Sequence, residues 1–167
     1  MPQAMKYVGL FVLMLVAVLL GLFAFDRYKT AQVAGSPAMN ENTPESLARA
    51  AMIRDDFVRA SGSAKVAFTE YMLSNGKPPI SNADVGLSAP TEYHGQSLVR
   101  MDLLSDRLVL TYDAKSGVAN GRIELIADVT RVNTMGISWQ CISPSFKDIE
   151  RILPGCRYSA DGAITAP

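Results

Sequence analysis

Two cysteines near the C-terminus, Cys141 and Cys156, stand fifteen positions apart, and a covalent link between them would fix one end of any fold. A pair closing a short loop suits an oxidising compartment, where such bonds persist. Far upstream, an uncharged apolar run from Tyr7 to Phe25 supplies a route into that compartment. As a helix rising about 1.5 Å per residue it would extend roughly 28 Å, close to the hydrocarbon thickness of a bilayer. A cleaved secretory signal has a shorter apolar core, about 7–15 residues, followed by a small-x-small site. Here Asp26, Arg27 and Lys29 follow the run directly. Residues 1–29 are therefore expected to form a short leader and a retained single-pass membrane anchor. Lys6 and the free amine face Arg27 and Lys29 across it, so charge barely sets the orientation. The cysteines do, and they put the C-terminal part outside the cytoplasm.

Without the anchor about 140 residues remain, enough for one domain. Sixteen basic and sixteen acidic side chains give a formal net charge of zero, which offers no general electrostatic grip on nucleic acid. Residues 30–43 carry Gly35, Ser36, Pro37, Asn40 and Asn42 and read as a linker.

Thr43 and Pro44 then look like a helix start, Thr as N-cap and Pro at the first position, with Glu45 near the dipole. Ala50, Ile53, Phe57, Ala60, Ala64, Ala67 and Tyr71 recur at steps of three and four, a stripe down one helical face. Arg49, Asp56, Arg59, Ser63 and Glu70 fall on other faces. Asn75 and Gly76 end the helix, and Pro78 and Pro79 forbid its continuation. One long amphipathic helix over residues 44–74 follows.

The second half alternates with period two, as half-buried strands do. Val99, Met101 and Leu103 oppose Arg100 and Asp102; then come Leu108, Leu110 and Tyr112, Ile123 and Leu125, and Ile137, Trp139 and Cys141. Short connections make these an antiparallel meander with one apolar face for the helix stripe. The expected fold class is α+β: a transmembrane helix, a long amphipathic helix on a four-stranded antiparallel sheet, and a C-terminal disulfide loop.

A bridge between Cys141 and Cys156 would remove about 3 kcal/mol of chain entropy from the unfolded state. The rival readings are two buried thiols or half of a metal site. For a metal, the single histidine, His94, is distant in sequence and no Cys-x-x-Cys spacing is present. The loop inside the pair carries Lys147, Asp148, Glu150 and Arg151, charged but balanced. Those four residues are a candidate contact surface facing solvent, or the loop simply pins the C-terminus.

Two motifs in order carry a family resemblance. Ala64-Lys65-Val66-Ala67, Glu70-Tyr71, Asn75-Gly76-Lys77-Pro78, Asn82 and Gly86-Leu87 resemble the helix end and αβ loop of type IV pilins. Ile137-x-Trp139-x-Cys141 with Leu153-Pro154-x-Cys156-Arg157 resembles their C-terminal disulfide loop. The similarity covers about Ser61 to Tyr158, within a globular domain over residues 44–158 followed by a frayed tail at 159–167. It implies a bacterial pilin-type head exported across the inner membrane. The family builds filaments for adhesion, twitching motility or DNA uptake. Implied partners are other pilin subunits or pilus assembly proteins, together with inner-membrane lipid.

The N-terminal part departs from that pattern. Pilins carry a short basic leader ending in Gly, and cleavage here would fall between Gly9 and Leu10. The fifth residue after Gly9 is Met14, where pilins place a glutamate buried in the membrane. A charge at that depth costs a few kcal/mol and needs a partner; Met14 supplies none. Gly35-Ser36-Pro37 also interrupts what is a continuous helical spine in pilins. Both departures point toward a pilin head on a tether.

The remaining residues offer no enzyme. His94 reads as a solvated loop histidine, Trp139 as core, and Asp55 with Asp56 as solvated charges rather than a cation site. No nucleophile–base pair or metal set can be assembled, so no catalytic residue, cofactor, metal or small-molecule substrate is expected. Three functions compete: a pilus component, a non-polymerising periplasmic accessory that binds pilins or assembly factors, and a DNA-uptake receptor. The last has only Lys147, Arg151 and Arg157 as a basic nucleus, offset by Asp148 and Glu150.

Overall fold

The computed structural model describes residues 43–162. Its long helix, Pro44–Asn75, starts and stops where its capping residues dictate. Thr43 stays extended, and its hydroxyl accepts the Ser46 N–H at 3.2 Å. That satisfies one of the first-turn donors that no helical carbonyl can reach. At the other end Gly76 is left-handed with φ 67°, and its N–H donates to the Met72 carbonyl at 2.9 Å. Glycine takes that conformation without a Cβ penalty.

The buried face of the helix runs through Ile53, Asp56, Ala60, Ala64 and Phe68. Ala50 and Phe57 pack along its flank, while Ala67 and Tyr71 are only half-buried. The stripe is therefore centred on Phe68 at its far end, and it includes an acid. The small side chains of Ala60 and Ala64 let the helix lie close to the sheet.

That sheet has five strands in sequential order: β1 Leu98–Leu103, β2 Arg107–Tyr112, β3 Gly121–Asp128, β4 Ser138–Ser143 and β5 Cys156–Tyr158. β1 to β4 form the expected antiparallel meander. The expectation of a four-stranded, wholly antiparallel sheet is corrected by β5, which pairs parallel to β4 with Cys141 opposite Cys156. The chain leaves β4, turns through a short helix at Ile149–Ile152 and returns to run alongside β4 in the same direction. A three-residue strand has too few positions to show alternation.

Inward residues stack in register: Leu108 faces Leu125 and Leu110 faces Ile123, all buried. Each such side chain, fully buried, contributes about 1.5–3 kcal/mol. Val99 does not share the inward phase expected of it. A bulge between Leu98 and Arg100 shifts the register, so Leu98 is buried with Met101 and Leu103 while Val99 is half-buried. Trp139 and Phe68 pack in a T-shaped pair with ring centroids 5.1 Å apart, locking β4 onto the helix.

No helix among the described residues is long and apolar enough to cross a membrane. The anchor expected at 7–25, the leader junction at Gly9 and Leu10, and all but Thr43 of the linker at 30–43 lie outside the described residues.

Candidate interaction surface

The segment joining the long helix to β1, residues 76–97, contains only two short 3-10 turns, Ala83–Val85 and Pro90–Glu92. A loop of this length without regular structure must satisfy its backbone polar groups otherwise. Three side chains do much of this. Asp84 accepts the N–H groups of Ile80 at 2.8 Å and Ser81 at 3.1 Å, closing the first bend. Asn82, only 4% exposed, donates to the carbonyls of Ser88 and Met101, each at 3.0 Å, and accepts the Leu103 N–H at 2.7 Å.

Asp56 holds the far end. Its Oδ1 accepts the Gln96 N–H at 2.8 Å, and its Oδ2 accepts the N–H groups of Ser97 at 2.7 Å and Leu98 at 2.9 Å. The Ser97 hydroxyl adds a fourth bond at 3.1 Å. A Cβ on Gly95 would collide with this carboxylate, so the loop reaches the helix only because residue 95 is glycine. Burial pushes the Asp56 carboxyl up, but the donors of Ser97, Gln96 and Leu98 outweigh it and hold it below its ordinary value. The nearby Tyr112 hydroxyl is pushed up by burial, with the Asp56 charge adding to the effect.

The Cys141–Cys156 disulfide is formed, with Cα atoms 4.3 Å apart. The chain between the cysteines is not simply solvent-facing. Phe146, Ile149, Ile152 and Leu153 are buried, and Arg54 of the long helix donates from Nε to the Ile152 carbonyl at 3.1 Å. Alternation between these apolar residues and Lys147, Glu150 and Arg151 puts those three charged residues outward, with Asp148 half-buried. The four proposed contact residues thus lie on one folded segment, pinned beneath by the helix.

On the outward face of the sheet, Arg107 bonds Glu124 at 2.9 Å and also Asp106, while Arg122 approaches Glu124 at 3.8 Å. Arg100 grips Asp102 through two bonds of 2.6 and 2.5 Å. Its hydrogen bonds donated to Asp106 and Glu124 push the Arg107 guanidinium up and keep it charged.

Asp56 corrects the expectation of a solvated charge: it is 1% exposed, whereas Asp55 stays on the surface and pairs with Arg59 at 2.6 Å. Adjacent helix positions do face different ways, and here one of them faces inward. His94 is exposed in the loop just before the Asp56 clamp. Trp139 is half-buried against the core, as its strand phase required. Among the described residues no group of three or more His, Cys, Asp or Glu side chains is placed to hold a metal ion. The structural roles of two residues escaped the sequence reading. Asp56 had a visible signal, its i+3 spacing from Ile53 within the apolar stripe; the stitching by Asn82 had none. The arrangement can present a shaped polar surface on a rigid scaffold.

Compared with known families, residues 48–157 match the pilin family, described as bacterial filament proteins. The match opens inside the long helix, takes in Asp56, Asn82 and the sheet, and closes just after Cys156. No curated protein matches the chain.

Proposed function

The chain belongs to the pilin family, and from that membership we propose that it serves as a structural or accessory component of a bacterial type IV pilus system. The observation that carries this reading is the continuous match from the long helix through the disulfide. Its head would be presented outside the cytoplasm from the inner membrane, which suits an oxidised cysteine pair. Other pilin subunits or assembly factors would meet it through the charged segment Lys147, Asp148, Glu150 and Arg151. Adhesion, motility or surface contact would be the system's output, with no chemistry performed by this chain.

A second reading is favoured by Met14 and the linker at Gly35-Ser36-Pro37: a tethered accessory that binds pilins without polymerising. The two separate in one experiment, the intact mass of the chain recovered from sheared surface filaments and from membranes of its own cells. A chain beginning at Leu10 in the sheared fraction supports the pilus component. A chain confined to membranes with its leader retained overturns that reading in favour of the accessory.

A further inference from the structure

Methionine is oxidised where its sulfur meets solvent, and the product is a polar, chiral sulfoxide. The methionines of the described residues lie at very different depths. Met101 is fully buried in the core, and Met52 and Met72 are half-buried on the long helix. Met135 is 75% exposed, more than any other large apolar side chain among the described residues. It closes the one-turn helix Val132–Met135, which lies in the connection between β3 and β4. The Met135 N–H donates to the Arg131 carbonyl at 2.9 Å, so the two residues stand one helical turn apart. Side chains at that spacing share a face. Here Arg131 Nη1 donates to the Met135 Sδ at 3.6 Å, from a guanidinium that is itself exposed.

We propose that Met135 is a peroxide-reactive modification site, and that Arg131, by covering one lone pair of its sulfur, directs oxygen to the other. The oxidant is a hydroperoxide, of which hydrogen peroxide is the simplest. The open lone pair of Sδ attacks one peroxide oxygen, and the S–O bond forms as the O–O bond breaks. The distal oxygen leaves as hydroxide, takes the proton of the transferred hydroxyl and departs as water. Sulfur loses two electrons and the peroxide gains them, so no further reactant is needed. With one side of the sulfur screened by the guanidinium, one sulfoxide epimer predominates. Such a mark is reversible, because methionine sulfoxide reductases act on one epimer each. It also leaves the core untouched, since the new oxygen stands in water. The same change at Met101 would bury a polar oxygen among apolar side chains. The inference concerns the head itself and does not depend on the pilus reading.

The test treats the full chain, held in a peroxide-free detergent, with limiting hydrogen peroxide. Peptide masses locate the added oxygen, and NMR of methyl-labelled methionine gives the epimer ratio. Among Met52, Met72, Met101 and Met135, Met135 is expected to react first. Met101 reacts only when the core opens and should lag by at least about tenfold. The urea midpoint of the protein oxidised at Met135 alone stays where it was. The Met135 epimers should form at about two to one, the bias that an exposed contact one turn apart can supply. Arg131→Ala should give an equal mixture while Met135 still reacts first. Met135→Leu should remove the early uptake and leave the head folded; both side chains are exposed, so neither substitution disturbs the core. Uptake at Met52 or Met72 as early as at Met135 overturns the proposal. So does an equal epimer mixture in the unmodified protein, or a bias that survives Arg131→Ala, since the guanidinium then directs nothing.

Discussion

The Asp56 carboxylate accepts the Ser97 backbone N–H at 2.7 Å across a sequence separation of 41 residues. With Gln96 and Leu98 it fixes where the loop ends and β1 begins. Removing a buried acceptor strands its donors, and hydrogen bonds to charged groups are worth about 1.5–3 kcal/mol each. Asp56→Ala is expected to lower the unfolding free energy by about 3–5 kcal/mol, measured by urea denaturation. A loss below about 1 kcal/mol would mean that water replaces the carboxylate freely.

The same group sets an acid limit. Its folded-state pKa lies below the unfolded value, which is about 3.9 for aspartate. A depressed carboxyl contributes stability that is fully present above the unfolded value and is lost as pH falls through the folded one. The stability gap between the unmodified protein and Asp56→Asn should therefore be constant from neutral pH down to about 5 and shrink below about 4. Unfolding curves collected across that range decide it. A gap that widened in acid would reverse the assigned sign.

How far the fold was legible follows from the same residue. The helix could be read because its caps and its three- and four-residue spacing are local signals, and the meander because alternation is local too. Asp56 could not be placed inward from its chemistry, since a carboxylate looks solvated until its partners are known, and they lie 41 residues away. β5 was invisible for a related reason: the pairing of Arg157 with Ile142 exists only after the chain has returned from its short helix. Asn82 was legible as part of a family motif, while its bonds to Met101 and Leu103 are tertiary. Of the candidate contact segment, charge balance could be read, but the buried underside formed by Ile149 and Ile152 could not.

Gly95 tests the clamp from its other side. A methyl group there meets the Asp56 carboxylate, and four hydrogen bonds stop that carboxylate from yielding. Gly95→Ala should cost about 1–3 kcal/mol, as overpacking does. In an Asp56→Ala background the obstacle is gone, so the second substitution should be almost neutral. A double-mutant cycle by urea denaturation measures this, with a coupling of at least about 1 kcal/mol expected. Simple additivity would show that the strain of Gly95→Ala lies elsewhere.

The disulfide ties β5 to β4 and holds the short helix under the long one. Cys141→Ser with Cys156→Ser should lower stability by about 3 kcal/mol. The loss should be local first, because β5 has a single neighbour. Limited proteolysis should then cut after Lys147 or Arg151 well before the long helix is attacked. Simultaneous cleavage throughout the head would indicate global unfolding instead.

Glu124 gives the contrast that isolates what makes Asp56 costly to remove. Both acids are buried, at 5% and 1% exposure. Glu124 is answered by guanidinium groups at its side-chain end, and Arg107 keeps Asp106 as a second partner while remaining partly exposed. When Glu124 is truncated, Arg107 can turn to Asp106 and to water, so little is left unpaired. The backbone donors held by Asp56 have no such freedom, since moving them means moving β1. Glu124→Ala should therefore cost about 1–2 kcal/mol, less than Asp56→Ala by at least about 1 kcal/mol. Parallel urea titrations of the two variants settle the comparison. Equal losses would show that burial of the acid, and not the mobility of its partners, governs the cost.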